Sequence, residues 1–420
     1  MARITLVTDE RLLELNRDNM AESVFKLAVP DEHIDELRQK LKLTRLPDEL
    51  DDAGWAYGAP LADIRRLLER WQNGYNWREH EAQINAELPQ FTRDIDVEGH
   101  GTLNIHYVHQ KSLVPDAIPL LFVHGWPGNF LEVRKILPLL VESSTDHPSF
   151  HVVALGLPGY GWSEAPKTKG FRLDQYAEVG NKLMLSLGYP QYVTQGGDIG
   201  FQITRRIARN YGGKHSKAWH TNFPMRPSFF SSPLTYILHA VTPYTPFEKA
   251  GLERTAWFER GERGYFWEHA TKPQTLGYSL ADSPVGLLAW IYEKLVAWTD
   301  GYAWDDDEVL TWISSYYFAR AGPAASLRIY YELHNGDKRY PPPSEAPTIP
   351  FGMSYFPKEV IIVPGSWKKL LGNVVFESQH DHGGHFAAHE KPQLLVNDVR
   401  KMFGRNGPAY GIVPGKTGYA

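Results

Sequence analysis

The sequence lacks three features, each of which would point to a particular class of protein. It contains no cysteine among its 420 residues, which excludes thiol nucleophiles, disulfides, thiolate metal ligands and iron–sulfur clusters. It has no large block of like charge, since 44 basic and 49 acidic residues give a net charge of -5, and this balance argues against nucleic acid or an anionic membrane as the main partner. It also has no apolar run of about 18 residues and no signal peptide, so we expect a cytoplasmic protein without a membrane anchor.

What the sequence has in excess is aromatic side chains. They make up 13% of the chain and include 13 Trp and 22 Tyr. Such a surplus fits either a large packed core or a pocket with aromatic walls. The length allows one large domain with insertions, or two to three domains of about 150 residues each.

Hydrophobic periodicity divides the chain into four regions. Residues 1–92 are predicted to form a meander that packs on the core, since apolar residues recur there at helical spacing. Short apolar runs alternate with amphipathic stretches in residues 93–222, and the pattern resumes in residues 351–420. This alternation is typical of an α/β fold with a mostly parallel sheet and helices on both faces. Residues 223–350 are rich in aromatics and helical segments, which predicts a lid inserted into the α/β core.

The first candidate for chemistry is the segment QGGDIG at 195–200, which follows a predicted strand and opens a predicted helix. Glycines on both sides of Asp198 permit the sharp strand-to-helix turn that exposes a nucleophile above a sheet. A carboxylate can attack carbon and form an ester, and the helix N-terminus favours its anionic form. Asp is also a common helix N-cap, so this segment alone predicts either a nucleophile or a cap.

A second glycine-containing turn, HGWPGNF at 124–130, directly follows another predicted strand. Such a turn can aim a backbone N–H into a site at the carboxyl end of the sheet. The N–H groups of Trp126 and Ile199 are the predicted pair of an oxyanion hole. The competing interpretation is an ordinary strand-to-helix loop, because such loops often contain Gly and Pro.

The third candidate is the segment HDHGGHFAAHE at 380–390, with four histidines. A metal site is disfavoured because the segment lacks the HExxH arrangement and the chain has no cysteine ligand, so we expect neither a metal nor another cofactor. His385 is the predicted general base, and a base needs a carboxylate to hold its tautomer. Glu359 is the predicted partner, with Asp381 as the local rival. Asp198, Glu359 and His385 follow the nucleophile–acid–base order of α/β-hydrolases.

Together these motifs resemble the epoxide hydrolases of the α/β-hydrolase superfamily, specifically the microsomal-type branch. The resemblance spans nearly the whole chain. It rests on an HGxP turn, a GGDxG elbow and a GGHFAAxEKP base motif, and on the stretches VPDEHIDELRQKL, TRLPDE, GWAYG, WRxxEAxIN and PQFT within residues 29–92. Animal members carry an amino-terminal membrane anchor without a counterpart here, so the resemblance implies a soluble form.

The resemblance implies a two-step reaction on a small-molecule epoxide. Asp198 would attack one epoxide carbon and form a glycol monoester. Water activated by His385, which Glu359 orients, would then hydrolyse this ester and release a vicinal diol.

Two lid tyrosines are implied as hydrogen-bond donors to the epoxide oxygen. The matching segments, GYFWEH and RIYYE, assign Tyr265 and Tyr330 to this role, with the adjacent Tyr331 as a rival. A phenol with a pKa near 10 suits it, because it can assist a poor leaving group while staying protonated at neutral pH. Trp126, Phe201 and Tyr331 are predicted to line an apolar, aromatic-walled substrate pocket.

Other functions stay open at this stage. A haloalkane or haloacid dehalogenase shares the Asp nucleophile and the fold, although Ile199 stands where such enzymes typically place Trp or Arg. A serine-type esterase is suggested by loose matches to its elbow at 161–165 and 277–281, neither of which follows an adequate strand. A non-catalytic binding protein of this fold is expected to lack a member of the triad. A homodimer is also compatible with the sequence.

Overall fold

The computed structural model describes residues 22–225, 237, 241–336 and 346–420. Within these ranges, the N-terminal part contains one short strand, three α-helices and the 3₁₀ turn Gly54–Tyr57: the strand is β1 Ser23–Val24, and the α-helices are α1 Asp31–Lys42, α2 Leu61–Asn73 and α3 Trp77–Glu87. The helices are amphipathic, as their periodicity predicts. In α1, for example, Ile34, Leu37 and Leu41 are buried one helical turn apart.

Among the described residues, nine strands form one sheet. Its longer strands are β2 Gln90–Val97, β3 Gly101–Gln110, β4 Ile118–Val123, β5 Phe150–Leu155, β6 Tyr192–Gly196, β7 Ser216–Thr221, β8 Pro350–Tyr355 and β9 Asn373–Gln379. The spatial order is β1-β2-β3-β5-β4-β6-β7-β8-β9. Pairing is antiparallel from β1 through β3 to β5 and parallel across the rest of the sheet.

Helices cover both faces of this sheet and form the inserted block. Beyond the meander, the described helices are α4 Leu137–Val141, α5 Leu173–Ser186, α6 Ile199–Asn210, α7 Pro246–Trp257, α8 Gly264–Thr271, α9 Pro273–Asp282, α10 Pro284–Ala297, α11 Asp306–Tyr317, α12 Arg328–Asn335, α13 Ala387–Glu390 and α14 Pro392–Phe403. All six residues of β4 and of β5 are buried, because α5 and α6 pack together on one face and α4 and α14 on the other. The predicted α/β architecture is therefore present.

The meander contacts the inserted helices as well as the core, where Phe25 packs against His106 and Trp162. Helix α10 contacts α1 and α2, and α11 contacts α2 and α3. Polar pairs join these surfaces: Arg70 binds Asp307 at 2.7 Å, and the Tyr292 hydroxyl donates to Asp63 at 3.2 Å. The acidic first turn of α11 thus faces the basic side of α2.

The residues predicted to form a lid lie between two neighbouring strands of the sheet. β7 ends at Thr221 and β8 begins at Pro350, so the inserted block lies between these strands. The boundary at residue 92 falls inside β2, because Gln90 already pairs with Val108 of β3. No helix in the described parts of the chain is long and apolar enough to cross a bilayer.

Candidate active site

Asp198 lies on a strained turn between β6 and α6. Its backbone angles, φ 50 and ψ -128, lie in a region that non-glycine residues rarely adopt. The surrounding glycines allow this turn: a Cβ on Gly200 would lie 2.0 Å from the Val123 carbonyl oxygen, and one on Gly196 would lie 2.7 Å from the Gly200 carbonyl oxygen. Asp198 occupies the N-cap position of α6, yet its side chain makes no capping hydrogen bond. The carboxylate is instead turned into the site.

One of the two predicted oxyanion-hole donors hydrogen-bonds directly to this carboxylate. The N–H of Trp126 donates to Asp198 Oδ1 at 2.9 Å, and the N–H of Ile199, the next residue, lowers the pKa of the carboxyl group. Gly125 permits the close approach, because a Cβ there would lie 2.2 Å from Oδ1. Burial raises the pKa of Asp198, while His385 and the two N–H groups oppose this rise. One carboxylate oxygen is therefore already held as an oxyanion would be.

The structure brings His385 and Glu359 together beside Asp198. His385 Nδ1 lies 2.6 Å from Glu359 Oε1, and Nε2 lies 3.7 Å from Asp198 Oδ2. Glu359 is buried on the loop after β8. Asp381, the rival carboxylate, is 93% exposed and pairs with His382. The geometry therefore favours Glu359 as the partner of His385.

The charge of His385 depends on these carboxylates. Burial by itself would lower its pKa, but the charge and hydrogen bond of Glu359, together with Asp198 and Glu132, raise it to about 9. Because Asp198 contributes to this rise, any reaction that neutralises Asp198 lowers the pKa of His385 and makes the imidazole a better base near neutral pH.

The loop that carries His385 is attached to the inserted helical block. The N–H of His385 donates to the carbonyl of Trp298 at 2.9 Å, directly after α10. The N–H of Gly383 donates to Asp300 Oδ2 at 2.8 Å, and Glu390 accepts from the N–H of Asp300 at 3.0 Å. The sequence did not single out Trp298, because nothing local distinguishes one tryptophan among 13.

Tyr265 and Tyr330 face the site from the inserted block. They lie on α8 and α12, both are buried, and their ring centroids are 5.9 Å apart. The Tyr265 ring stacks on Trp126 at 5.0 Å and 16°. Burial raises the pKa of both phenols, and the nearby charge of Asp198 raises it further. Both hydroxyls therefore stay protonated and available as donors.

Tyr331 and Phe201 do not join this cluster. Tyr331 is half-buried and lines an outer groove together with Lys167 and Arg328. It points away from its neighbour Tyr330 because successive helical residues are turned by about 100°. Phe201 packs against Trp219 at 5.8 Å in the core between α6 and β7. Neither side chain lines the small cavity at Asp198, whereas the sequence predicts both in the substrate pocket.

The four histidines of the 380–390 loop have separate partners. His385 contacts Glu359, while the others contact Asp398 at 2.6 Å, Asp381, and Glu308 at 2.8 Å. Among the residues that the structure describes, no group of three or more His, Cys, Asp or Glu is arranged to hold a metal ion.

Known proteins share both the sequence and this arrangement of elements. A family profile described as the epoxide hydrolase N terminus matches residues 22–133, and one described as the alpha/beta hydrolase fold matches residues 118–238. Epoxide hydrolase 1 of Sus scrofa is 35% identical over 411 residues, which cover 90% of this chain and 88% of that protein. This chain belongs to the epoxide hydrolase family.

Solved structures of epoxide hydrolases have the same fold. That of Aspergillus niger is 33% identical with a TM-score of 0.77 and covers 90% of this chain and 95% of its own. The juvenile hormone epoxide hydrolase of the silkworm Bombyx mori is 28% identical with a TM-score of 0.81, covering 90% and 93%. The resemblance drawn from the motifs is therefore confirmed: the protein is an epoxide hydrolase with an α/β-hydrolase fold.

Proposed function

We propose that this hydrolase adds water to a hydrophobic epoxide through a covalent ester on Asp198. The observation that carries the proposal is the setting of this carboxylate. Oδ1 accepts the Trp126 N–H at 2.9 Å, which leaves Oδ2, 3.7 Å from His385 Nε2, as the attacking oxygen. The buried Tyr265 and Tyr330 supply the donors that an opening epoxide needs.

In the first step, Asp198 Oδ2 attacks a ring carbon and the bond from that carbon to the epoxide oxygen breaks. The alkoxide takes a proton from Tyr265 or Tyr330, which leaves a glycol monoester and a phenolate. The general acid is worth about 10²–10⁴ in rate. Ester formation also removes the negative charge of Asp198, which prepares His385 for the second step.

In the second step, His385 Nε2 takes a proton from water and the hydroxide attacks the Asp198 carbonyl carbon. The oxyanion forms on Oδ1, which the N–H groups of Trp126 and Ile199 stabilise. Collapse breaks the bond to the glycol oxygen, and the imidazolium protonates the departing diol. The new carboxyl group then returns its proton to the phenolate, so the enzyme is restored.

The inserted block 223–350 would act as the lid that supplies the tyrosines. An apolar substrate is favoured by the rings around Asp198, since Trp126 also contacts His269 at 4.6 Å and Trp298 at 6.5 Å. The full aromatic-walled pocket stays a prediction, because residues 226–236, 238–240 and 337–345 of this block lie outside the described residues. The cytoplasmic location and the homodimer stay predictions as well.

Replacing His385 with Gln tests the two-step mechanism. Without the base, we expect ester formation to continue and ester hydrolysis to fall by about 10²–10⁴, so that the variant accumulates a styrene oxide adduct. Intact mass and peptide mapping should place the adduct on Asp198. His382→Gln, an exposed histidine on the same loop, is the matched control and should turn over normally. A slow His385→Gln variant that carries no adduct on Asp198 would exclude the ester.

A further inference from the structure

A second acidic side chain reaches the site beside Asp198. Glu132 lies on the 3₁₀ turn Phe130–Lys135, just after the loop that supplies the Trp126 N–H. Asn129 holds the start of this turn, because its side chain accepts the N–H of Leu131 at 2.8 Å and its carbonyl accepts the N–H of Glu132 at 3.1 Å. The backbone therefore fixes where the Glu132 side chain starts.

The loop is shaped to receive this side chain. A Cβ on residue 128 would lie 1.6 Å from Glu132 Oε1, so Gly128 leaves the space that the carboxyl group occupies. Gly125 does the same for Asp198 Oδ1. Two glycines of one short loop thus accommodate two acidic side chains, one of which has no role in the mechanism above.

Glu132, Asp198 and His385 share a small cavity. Its volume is about 10 Å³, which is room for roughly one water molecule. Glu132, Asp198, His385 and Asn222 supply its polar side chains. Neither Tyr265 nor Tyr330 lines it, so it lies apart from the donors that face the epoxide oxygen.

We propose that this cavity holds the hydrolytic water and that Glu132 binds and orients it. The inference rests on the proposed function and extends it by one catalytic residue. His385 Nε2 accepts one hydrogen of the water and a Glu132 carboxyl oxygen accepts the other. The remaining lone pair then faces the Asp198 carbonyl carbon, which is the atom that the water must attack.

The ionisation of Glu132 suits this role. Burial raises its pKa to about 8, with His385 opposing the rise and Asp198 adding to it. The carboxyl group is therefore largely neutral beside the anionic nucleophile and adds no second negative charge there. Once Asp198 is esterified its contribution disappears, the pKa of Glu132 falls, and the emerging carboxylate stabilises the imidazolium of His385 during hydrolysis.

The experiment separates ester formation from ester hydrolysis by rapid quench with styrene oxide. Glu132→Met keeps the length of the side chain and removes its polar atoms, so we expect hydrolysis to slow about 100-fold and ester formation to change less than about threefold. The ester on Asp198 should accumulate. Glu132→Gln restores a hydrogen-bond acceptor and should recover hydrolysis to within about tenfold of the wild type.

The matched control is Glu87→Gln, which removes the acidic partner of Arg134 at the outer side of the same turn and should leave both rates unchanged. Thermal unfolding checks each variant, and Glu132→Ala repeats the test if the Met variant does not fold. The role of Glu132 is overturned if both steps slow equally, if hydrolysis is unchanged, or if Gln is as slow as Met. A wild type that forms no ester overturns the proposed function as well.

Discussion

The sheet loops and the inserted helices hold their parts of the site in different ways. Asp198, Glu359 and His385 are fixed by short directional hydrogen bonds of 2.6 to 2.9 Å. Tyr265 and Tyr330 are fixed mainly by ring packing, with centroids 5.0 and 6.0 Å from the Trp126 ring. Hydrogen bonds set the angle of a reacting group, whereas packing of rings excludes water and keeps a phenol protonated.

This difference suggests that the two regions assist different steps of the reaction. In the proposed mechanism, ester hydrolysis needs a base, an oxyanion hole and a bound water molecule, and residues of the sheet loops would supply the first two and bind the third. In the same mechanism, ring opening needs a proton donor in a dry environment, and tyrosines of the inserted helices would supply it. Substitutions in the two regions should therefore slow different steps of the reaction.

The largest effect should come from Glu359→Gln on the sheet side. Gln cannot hold the His385 tautomer or stabilise the imidazolium, so we expect ester hydrolysis to fall by about 10²–10⁴. Ester formation should change far less, and the adduct on Asp198 should accumulate in rapid-quench samples. Asp381→Asn, on the same loop as His385 but 93% exposed, is the control and should behave as the wild type. If Glu359→Gln slowed ester formation and ester hydrolysis equally, the sheet side would not act on hydrolysis alone.

A smaller effect should come from the inserted helices. Tyr265→Phe and Tyr330→Phe each remove one donor while the other remains, so we expect ester formation to slow by about 10- to 100-fold. No ester should accumulate, because hydrolysis is spared. The double variant should lose far more activity than either single one.

Tyr331→Phe sharpens this test, since the hydroxyl of Tyr331 belongs to the outer groove. Single-turnover ester formation should match the wild type in this variant. If Tyr331→Phe slows the first step as much as Tyr330→Phe, the assignment of the second donor is wrong.

The elbow and the strands could be predicted from the sequence because their causes are local. The glycines around Asp198 are adjacent in the chain, and the buried strands are continuous apolar runs. Glu359 could be predicted as the partner of His385, but Asp381 remained a rival because the choice between them depends on burial. The surroundings of Phe201 were missed for the same reason: it packs on Trp219 from a separate strand.

Two other features of the site could not be predicted from the sequence, because one depends on the direction of a helix and the other on a contact between residues far apart in the chain. Tyr330 and Tyr331 have the same chemistry in the sequence, and only the direction of α12 separates them. Trp298 reaches the His385 loop through a backbone carbonyl, which no side-chain pattern reveals. Glu132 is the acidic residue in the otherwise apolar stretch FLEV, shortly after the HGxP turn. This local pattern could have identified it as a candidate site residue.

The covalent ester on Asp198 is tested most directly by a single turnover in ¹⁸O-water. With enzyme in excess over styrene oxide, the two-step mechanism predicts a diol without label, because one oxygen comes from the epoxide and the other from Asp198 Oδ2. The ¹⁸O should appear instead in the peptide that carries Asp198. A first-turnover diol that contains one ¹⁸O, with Asp198 unlabelled, would show direct attack of water on the epoxide and contradict the account.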